Sequence, residues 1–201
     1  HYTTDGSEPT ATSPLYEKIV PVKEPLTLKS ATFAQGRQMG KTLVLPVRWN
    51  LATAKPVLGD SPAVKLLTNG IRGSLKYSDS EWCSWTDNDS VSFTIDLLKP
   101  EVLNTLTLGC ITNNGMAIHK PASVRVEVSD DNSKFREAVV QSFTSEEIFR
   151  EGNFIENLPL KLGGTQARYV RVTAKGPGVC PASHVRPGQV SRILFDEVIL
   201  E

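Results

Sequence analysis

The chain predicts an all-β protein built from two consecutive antiparallel sandwich domains. Three observations lead there. Apolar residues alternate strictly with polar ones in run after run, as in Val91-Ser92-Phe93-Thr94-Ile95 and Val124-Arg125-Val126-Glu127-Val128. These runs are strand-sized and separated by turn signals. No long 3.6-residue period lies between them, which argues against parallel units with helical crossovers.

The segment Tyr2-Thr3-Thr4-Asp5-Gly6-Ser7-Glu8-Pro9-Thr10 opens as a strand, turns at Asp5-Gly6 and is barred from a central strand by Pro9. Leu26 and Leu28 then alternate with polar neighbours. A turn at Gln35-Gly36-Arg37 leads to a further strand around residues 42–47. Fewer than 50 residues close a sandwich poorly, so this region is expected to lack strands supplied by an upstream part of a longer chain. No Gly/Ser linker follows, and the domain boundary is placed just before Trp49, giving domains 1–48 and 49–201. In the second domain strands are expected at Val91 to Leu97, Leu106 to Cys110, Val124 to Val128, Val170 to Ala174 and through Ile193-Leu194-Phe195-Asp196-Glu197-Val198-Ile199-Leu200. One short helix is expected at residues 145–150, with Ser145 as its N-cap.

Composition sets limits on function. Formal net charge is zero and no basic cluster is present, so nucleic acid and anionic lipid are not expected partners. The apolar runs are far shorter than a bilayer span, and residue 1 is His, which suggests a piece of a longer chain. Cys83, Cys110 and Cys180 are odd in number and show no Cys-x-x-Cys spacing. Neither a disulfide framework nor a zinc knuckle is implied, and at most one bridge is expected. Asn88-Asp89-Ser90 fits a glycosylation sequon.

Two resemblances follow from these motifs. The Tyr2-to-Thr10 run, Ser13-Pro14-Leu15-Tyr16 and Ala31-Thr32-Phe33-Ala34-Gln35-Gly36 resemble the small immunoglobulin-like C-terminal domain of chitobiases and β-hexosaminidases. Leu67-Thr68-Asn69-Gly70-Ile71-Arg72-Gly73-Ser74, Ile95-Asp96-Leu97, Ala167-Arg168-Tyr169-Val170-Arg171-Val172 and Phe195-Asp196-Glu197-Val198 resemble a discoidin, or factor V/VIII type C, domain. Together they imply a partial immunoglobulin/fibronectin III-like sandwich followed by a discoidin-type, galactose-binding-like jelly roll. The parent they imply is a bacterial family 20 β-N-acetylhexosaminidase, secreted, periplasmic or on the cell surface, with its catalytic barrel upstream. Carbohydrate binding is the implied role, and a structural spacer without a working sugar site is the alternative.

The adjacent acids Asp196 and Glu197 invite a catalytic reading. Successive residues of a strand point to opposite faces, however, and cannot both flank one glycosidic bond. Internal histidines His119 and His184 are far apart in sequence and lie near no recognisable nucleophile motif, so no charge relay is expected. A sugar-contact surface is instead expected on Trp82, Asn114, His119, His184 and Arg186, each on a strand-joining loop. Trp82 is assigned as the exposed stacking ring and Trp85 as the structural one. Pro181-Ala182-Ser183-His184 resembles a Pro-x-Trp-His motif of the family 20 version, with Ser183 where the Trp stands.

The discoidin resemblance also implies a structural calcium ion between the loop of residues 66–85 and the last strand. Its ligands would be carbonyls of Leu66 and Arg72 with side chains of Asn69, Ser74 and Glu197. Asn69 is neutral where the family often has Asp, which weakens such a site. The alternative is an ion pair between Glu197 and Arg72.

Overall fold

The computed structural model describes residues 1–22, 25–47, 49–85 and 90–201, so the Asn88-Asp89 part of the sequon lies outside the described residues. The chain divides into two compact units, His1–Trp49 and Asn50–Glu201.

The first unit is a three-stranded antiparallel sheet in the order β1 (Tyr2–Thr3), β2 (Leu26–Ala34), β3 (Arg37–Val47). Gln35 and Gly36 make the tight β2–β3 turn with φ of 50° and 77°, the left-handed pair that a two-residue hairpin requires. Asp5 stabilises the preceding corner by accepting the Ser7 amide and hydroxyl at 3.0 and 2.6 Å. Met39, Leu43 and Val44 remain exposed on β3.

In the second unit the sheet order is β5 (Cys83–Trp85), β10 (Ile193–Leu200), β6 (Ser90–Asn113), β9 (Asn153–Lys175), β7 (Ser123–Ser129), β8 (Arg136–Ser142), and β4 (Val57–Gly59) pairs with β6. The two strands expected at Val91 to Leu97 and Leu106 to Cys110 are halves of one long β6. It breaks register against β9 between Asp96 and Glu101 and again between Leu103 and Thr105. At this corner Leu98 takes φ 71°, and on β9 Gly163 and Gly164 take 65° and 77°. One half of β6–β9 carries β4, β7 and β8, and the other carries β10 and β5. Side chains from both halves meet in a single core including Phe93, Ile95, Leu106, Leu108, Val126, Val172, Phe195 and Val198. Each such buried side chain contributes roughly 1.5–3 kcal/mol.

The corner is fixed by charge. Asp96 accepts the Leu98 amide at 2.8 Å and a two-pronged contact from Arg168 at 2.8 and 2.9 Å. The guanidinium holds this carboxyl below its ordinary range. The short helix is Ser145–Ile148, and its cap is Thr144 rather than Ser145. Thr144 Oγ1 accepts the Glu147 amide while Glu147 reaches back to the Thr144 amide, a reciprocal pair that Ser145 is one residue too late to form.

Candidate functional site

The loop after the 3₁₀ turn Pro62–Thr68 docks on β10. Asn69 accepts the Ile71 amide through Oδ1 at 2.8 Å, a local turn that throws the next three residues toward the strand. There the Gly70 amide donates to Glu197 Oε2 at 3.1 Å and the Gly73 amide to Asp196 Oδ2 at 2.9 Å. Arg72 Nε donates to the same Asp196 oxygen at 2.7 Å, and its Nη2 donates to Asn157 Oδ1 at 2.8 Å.

Both acids therefore meet one loop, against the expectation that they face apart. The reason is a bulge. Phe195 pairs with Cys110 and Val198 with Leu108, so β10 carries one extra residue there and the alternation slips. Gly109 leaves the space beneath: a Cβ at that position would stand 2.0 Å from Asp196 Oδ1 and 2.5 Å from Arg72 Nη2.

The expected alternative partner of Arg72 was Glu197, but the guanidinium is on Asp196. Glu197, 2 % exposed, keeps no cationic partner among the described contacts, and its Oε1 lacks a hydrogen bond, with the Asn50 amide nearby but outside hydrogen-bond geometry. Burial pushes its carboxyl up to about 8, offset in part by the Gly70 amide. A buried carboxylate with a free oxygen fits a cation. Ser74 fits less well, being exposed with its hydroxyl accepting the Lys76 amide at 3.3 Å. Leu66 O already accepts the Asn69 amide, and the Asn69 Nδ2 donates to Glu81 at 2.7 Å.

Trp82 requires a correction. It is 6 % exposed, the less exposed of the two tryptophans, and offers no face to a sugar. Its indole lies against Gly73, where a Cβ would come within 2.4 Å of the ring, and its Nε1 donates to Ser74 O at 3.0 Å. Ile111, Ile118 and Leu194 close over it as a second small core. Trp85 is half-buried, with ring centroids 6.5 Å from Phe93 and 5.6 Å from Phe195.

Asn114, His119, His184 and Arg186 do come together. The Asn114 amide is 3.3 Å from His184 Nε2, the two imidazole centroids are 5.0 Å apart, and Arg186 Nε donates to Gly115 O. His119 is fully buried, however, and Asn114 and His184 are each 8 % exposed, so this is a closed knot of loops in which only Arg186 is open. His119 is also corrected as a direct sugar contact: Phe149 and His184 cover its ring edge-on at 5.0 Å each. Burial, then the neighbouring His184, lowers its pKa to about 4, leaving the ring neutral.

Half-buried groups at this end that sequence reasoning missed are Tyr77, Phe149 and Arg192. Arg192 sits 5.9 Å from the Tyr77 ring centroid and donates to Met116 O at 3.4 Å. No periodicity marks them, because they lie in irregular segments. Asp196 and Glu197 are both sealed from solvent, which removes them as a catalytic pair. A separate recess of about 410 Å³, lined by Tyr2, Tyr16, Leu28, Thr32, Lys41 and Leu43 among others, belongs to the first unit alone.

A bent-strand β-sandwich whose N-terminal loop is clamped to its last strand, with its polar loop knot at strand connections, is a discoidin-like module. Residues 61–185, more than half of the chain, match the family described as F5/8 type C domain, and the chain belongs to that family. Residues 1–44 match the chitobiase/beta-hexosaminidase C-terminal domain. No curated protein sequence matches the chain. Among solved structures, the module CpGH89CBM32-6 of Clostridium perfringens is similar at TM-score 0.50 and 16% identity, over 76% of this chain and 98% of that one. A chitosan-binding module of a chitosanase/glucanase from Paenibacillus sp. IK-5 aligns at TM-score 0.48 and 16% identity, over 77% and 99% of the two chains. The lectin binding domain of Lectinolysin, solved with Lewis b, aligns at TM-score 0.48 and 16% identity, over 77% and 97%.

Proposed function

We propose that this chain is a non-catalytic accessory region of a secreted bacterial β-N-acetylhexosaminidase and that its second unit binds a GlcNAc- or galactose-containing glycan. The observation that carries the reading is the tandem of a chitobiase/beta-hexosaminidase C-terminal domain match and an F5/8 type C match in one chain. The module named CBM32-6 shares the fold of the second unit. With Trp82 buried, the sugar would meet Tyr77, Arg192 and Arg186, one aromatic face and two guanidinium groups at the same loop end. A spacer role is the second reading, favoured by the burial of Asn114, His119 and His184. A glycan array with GlcNAc and galactose competition decides between them: binding lost in Tyr77→Ala supports the sugar surface, and silence on every glycan leaves the spacer.

The same reading puts calcium at Glu197, with Asn69 and the carbonyls of Leu66 and Arg72 as companions. Its contribution would be to neutralise a buried carboxylate and fasten the loop to β10, with no part in chemistry. A melting midpoint unmoved between excess calcium and chelator would count against it.

A further inference from the structure

The loop knot has a property independent of any sugar. His119, Cys180 and His184 each present one ligand atom, and the three atoms lie within 4.8 Å of one another, all in buried side chains. They arrive from two places. His119 follows the bridge of Ile118 with Asn113, while Cys180 and His184 share the loop between β9 and β10 at a Cys-x-x-x-His spacing. Among the described residues neither ring nitrogen of His119 has a hydrogen-bond partner of good geometry, although the Ile148 backbone favours its charged form. A fully buried imidazole with two idle nitrogens is costly unless something occupies one of them.

We propose that His119, Cys180 and His184 form a binding site for a thiophilic d¹⁰ cation, Zn²⁺ or Cu⁺. A thiolate with two neutral imidazoles is a soft to borderline donor set that selects these ions over calcium or magnesium, which take oxygen. The geometry of His119 supports the assignment, because both of its ring nitrogens are buried without a partner and the one that carries no proton presents a lone pair. Binding replaces the Cys180 thiol proton, which passes to solvent, with a metal–sulfur bond.

Coordination requires ligand atoms roughly 3.3–3.8 Å apart, given Zn–N near 2.0 Å and Zn–S near 2.3 Å. With separations of up to 4.8 Å, the trio must therefore contract by up to about 1.5 Å, and the 180–192 loop is the part placed to do it. His184 meets an N–H donor at each nitrogen, the Arg186 amide at Nδ1 (3.0 Å) and the Asn114 amide at Nε2 (3.3 Å). A neutral imidazole accepts at only one nitrogen, so one donor faces a ring N–H. The misfit falls on the loop that carries two of the three ligands. Gly178 just before the loop and Gly188 within it take φ 85° and 76°.

The test uses the 201-residue chain stripped with chelator and titrated with Zn²⁺ and, anaerobically against a competing chelator, with Cu⁺. One equivalent of either ion should be retained, with release of about one proton. Cys180→Ser and His184→Gln should each weaken binding at least ~100-fold, more than the 10–100-fold typical of residues that only orient ligands. His1→Gln, outside the cluster, should change nothing. Because the variants themselves can misfold, Co²⁺ loading of the unaltered chain supplies a second readout, a thiolate-to-cobalt charge-transfer band. Retention of neither ion, absence of that band, or unchanged affinity in folded Cys180→Ser overturns the proposal.

Discussion

Arg72 donates through Nε to Asp196 Oδ2 at 2.7 Å across 124 positions of sequence, so that Glu197, one residue on, makes no direct ion pair with it. Removing the arginine strands a fully buried carboxylate. Arg72→Ala should therefore cost about 3–5 kcal/mol of stability, in the range for breaking one side of a buried pair. Chemical denaturation should show Arg72→Ala and Asp196→Asn together costing less than the sum of the two singles.

Glu197 makes stability depend on pH. Below about 4.5, its ordinary value, the carboxyl is protonated in folded and unfolded chains alike. As pH rises the unfolded carboxyl ionises while the folded one keeps its proton to about 8, so stability present at low pH is lost across this window. In chelator, Glu197→Gln should flatten that part of the profile and melt higher than the unaltered chain at pH 8. Added calcium should raise the midpoint of the unaltered chain only, by the equivalent of ~2.7 kcal/mol at a hundredfold excess over Kd.

Gly109→Ala tests the close approach beneath the pair. Overpacking of this kind costs about 1–3 kcal/mol. The midpoint should fall, and Arg72→Ala combined with it should cost less than additively, because the shorter side chain vacates part of the space.

Trp82→Ala should lower stability by about 3–5 kcal/mol, the range for deleting a buried aromatic side chain, whether or not a glycan is present. Tyr77 packs against the same small core, so Tyr77→Ala should cost less stability than Trp82→Ala while abolishing glycan binding, a loss that persists when the comparison is made on the folded fraction.

Cys83 and Cys110 face β10 from its two sides, both opposite Phe195, and all three cysteines are free and buried. Burial pushes the Cys83 thiol up to about 12, and that of Cys110 higher still. Reducing agent should leave the metal-free melt unchanged, and thiol reagents should react at these two positions only on unfolding.

Much of this molecule was legible where burial is one-sided. Val91 to Leu97 and Val124 to Val128 show their inner face in every second residue, and those residues form the core. The turn at Gln35-Gly36 was legible from residue chemistry. What stayed hidden depends on the third dimension. The β10 bulge changes which way Asp196 and Glu197 point without leaving a mark in ILFDEVIL. Trp82 is assigned to solvent because Trp85 matches the structural Trp of the discoidin resemblance, yet Ile111, Ile118 and Leu194, distant in sequence, provide its berth. The first half of β9 was missed because Pro159, Gly163 and Gly164 punctuate it. The histidine–cysteine cluster was invisible because its members lie some 60 residues apart and share no motif beyond Cys180-x-x-x-His184.

The place of β10 in the sheet, between β5 and β6, governs the order of events as the polypeptide emerges during synthesis. Until Ile193–Leu200 leaves the ribosome, β6 has an open hydrogen-bonding edge along residues 106–110, and Phe195 and Val198 are missing from the core. Cooperative closure therefore waits for β10, and the nascent domain carries an unsealed, aggregation-prone seam through the whole interval between the synthesis of β6 and that of β10.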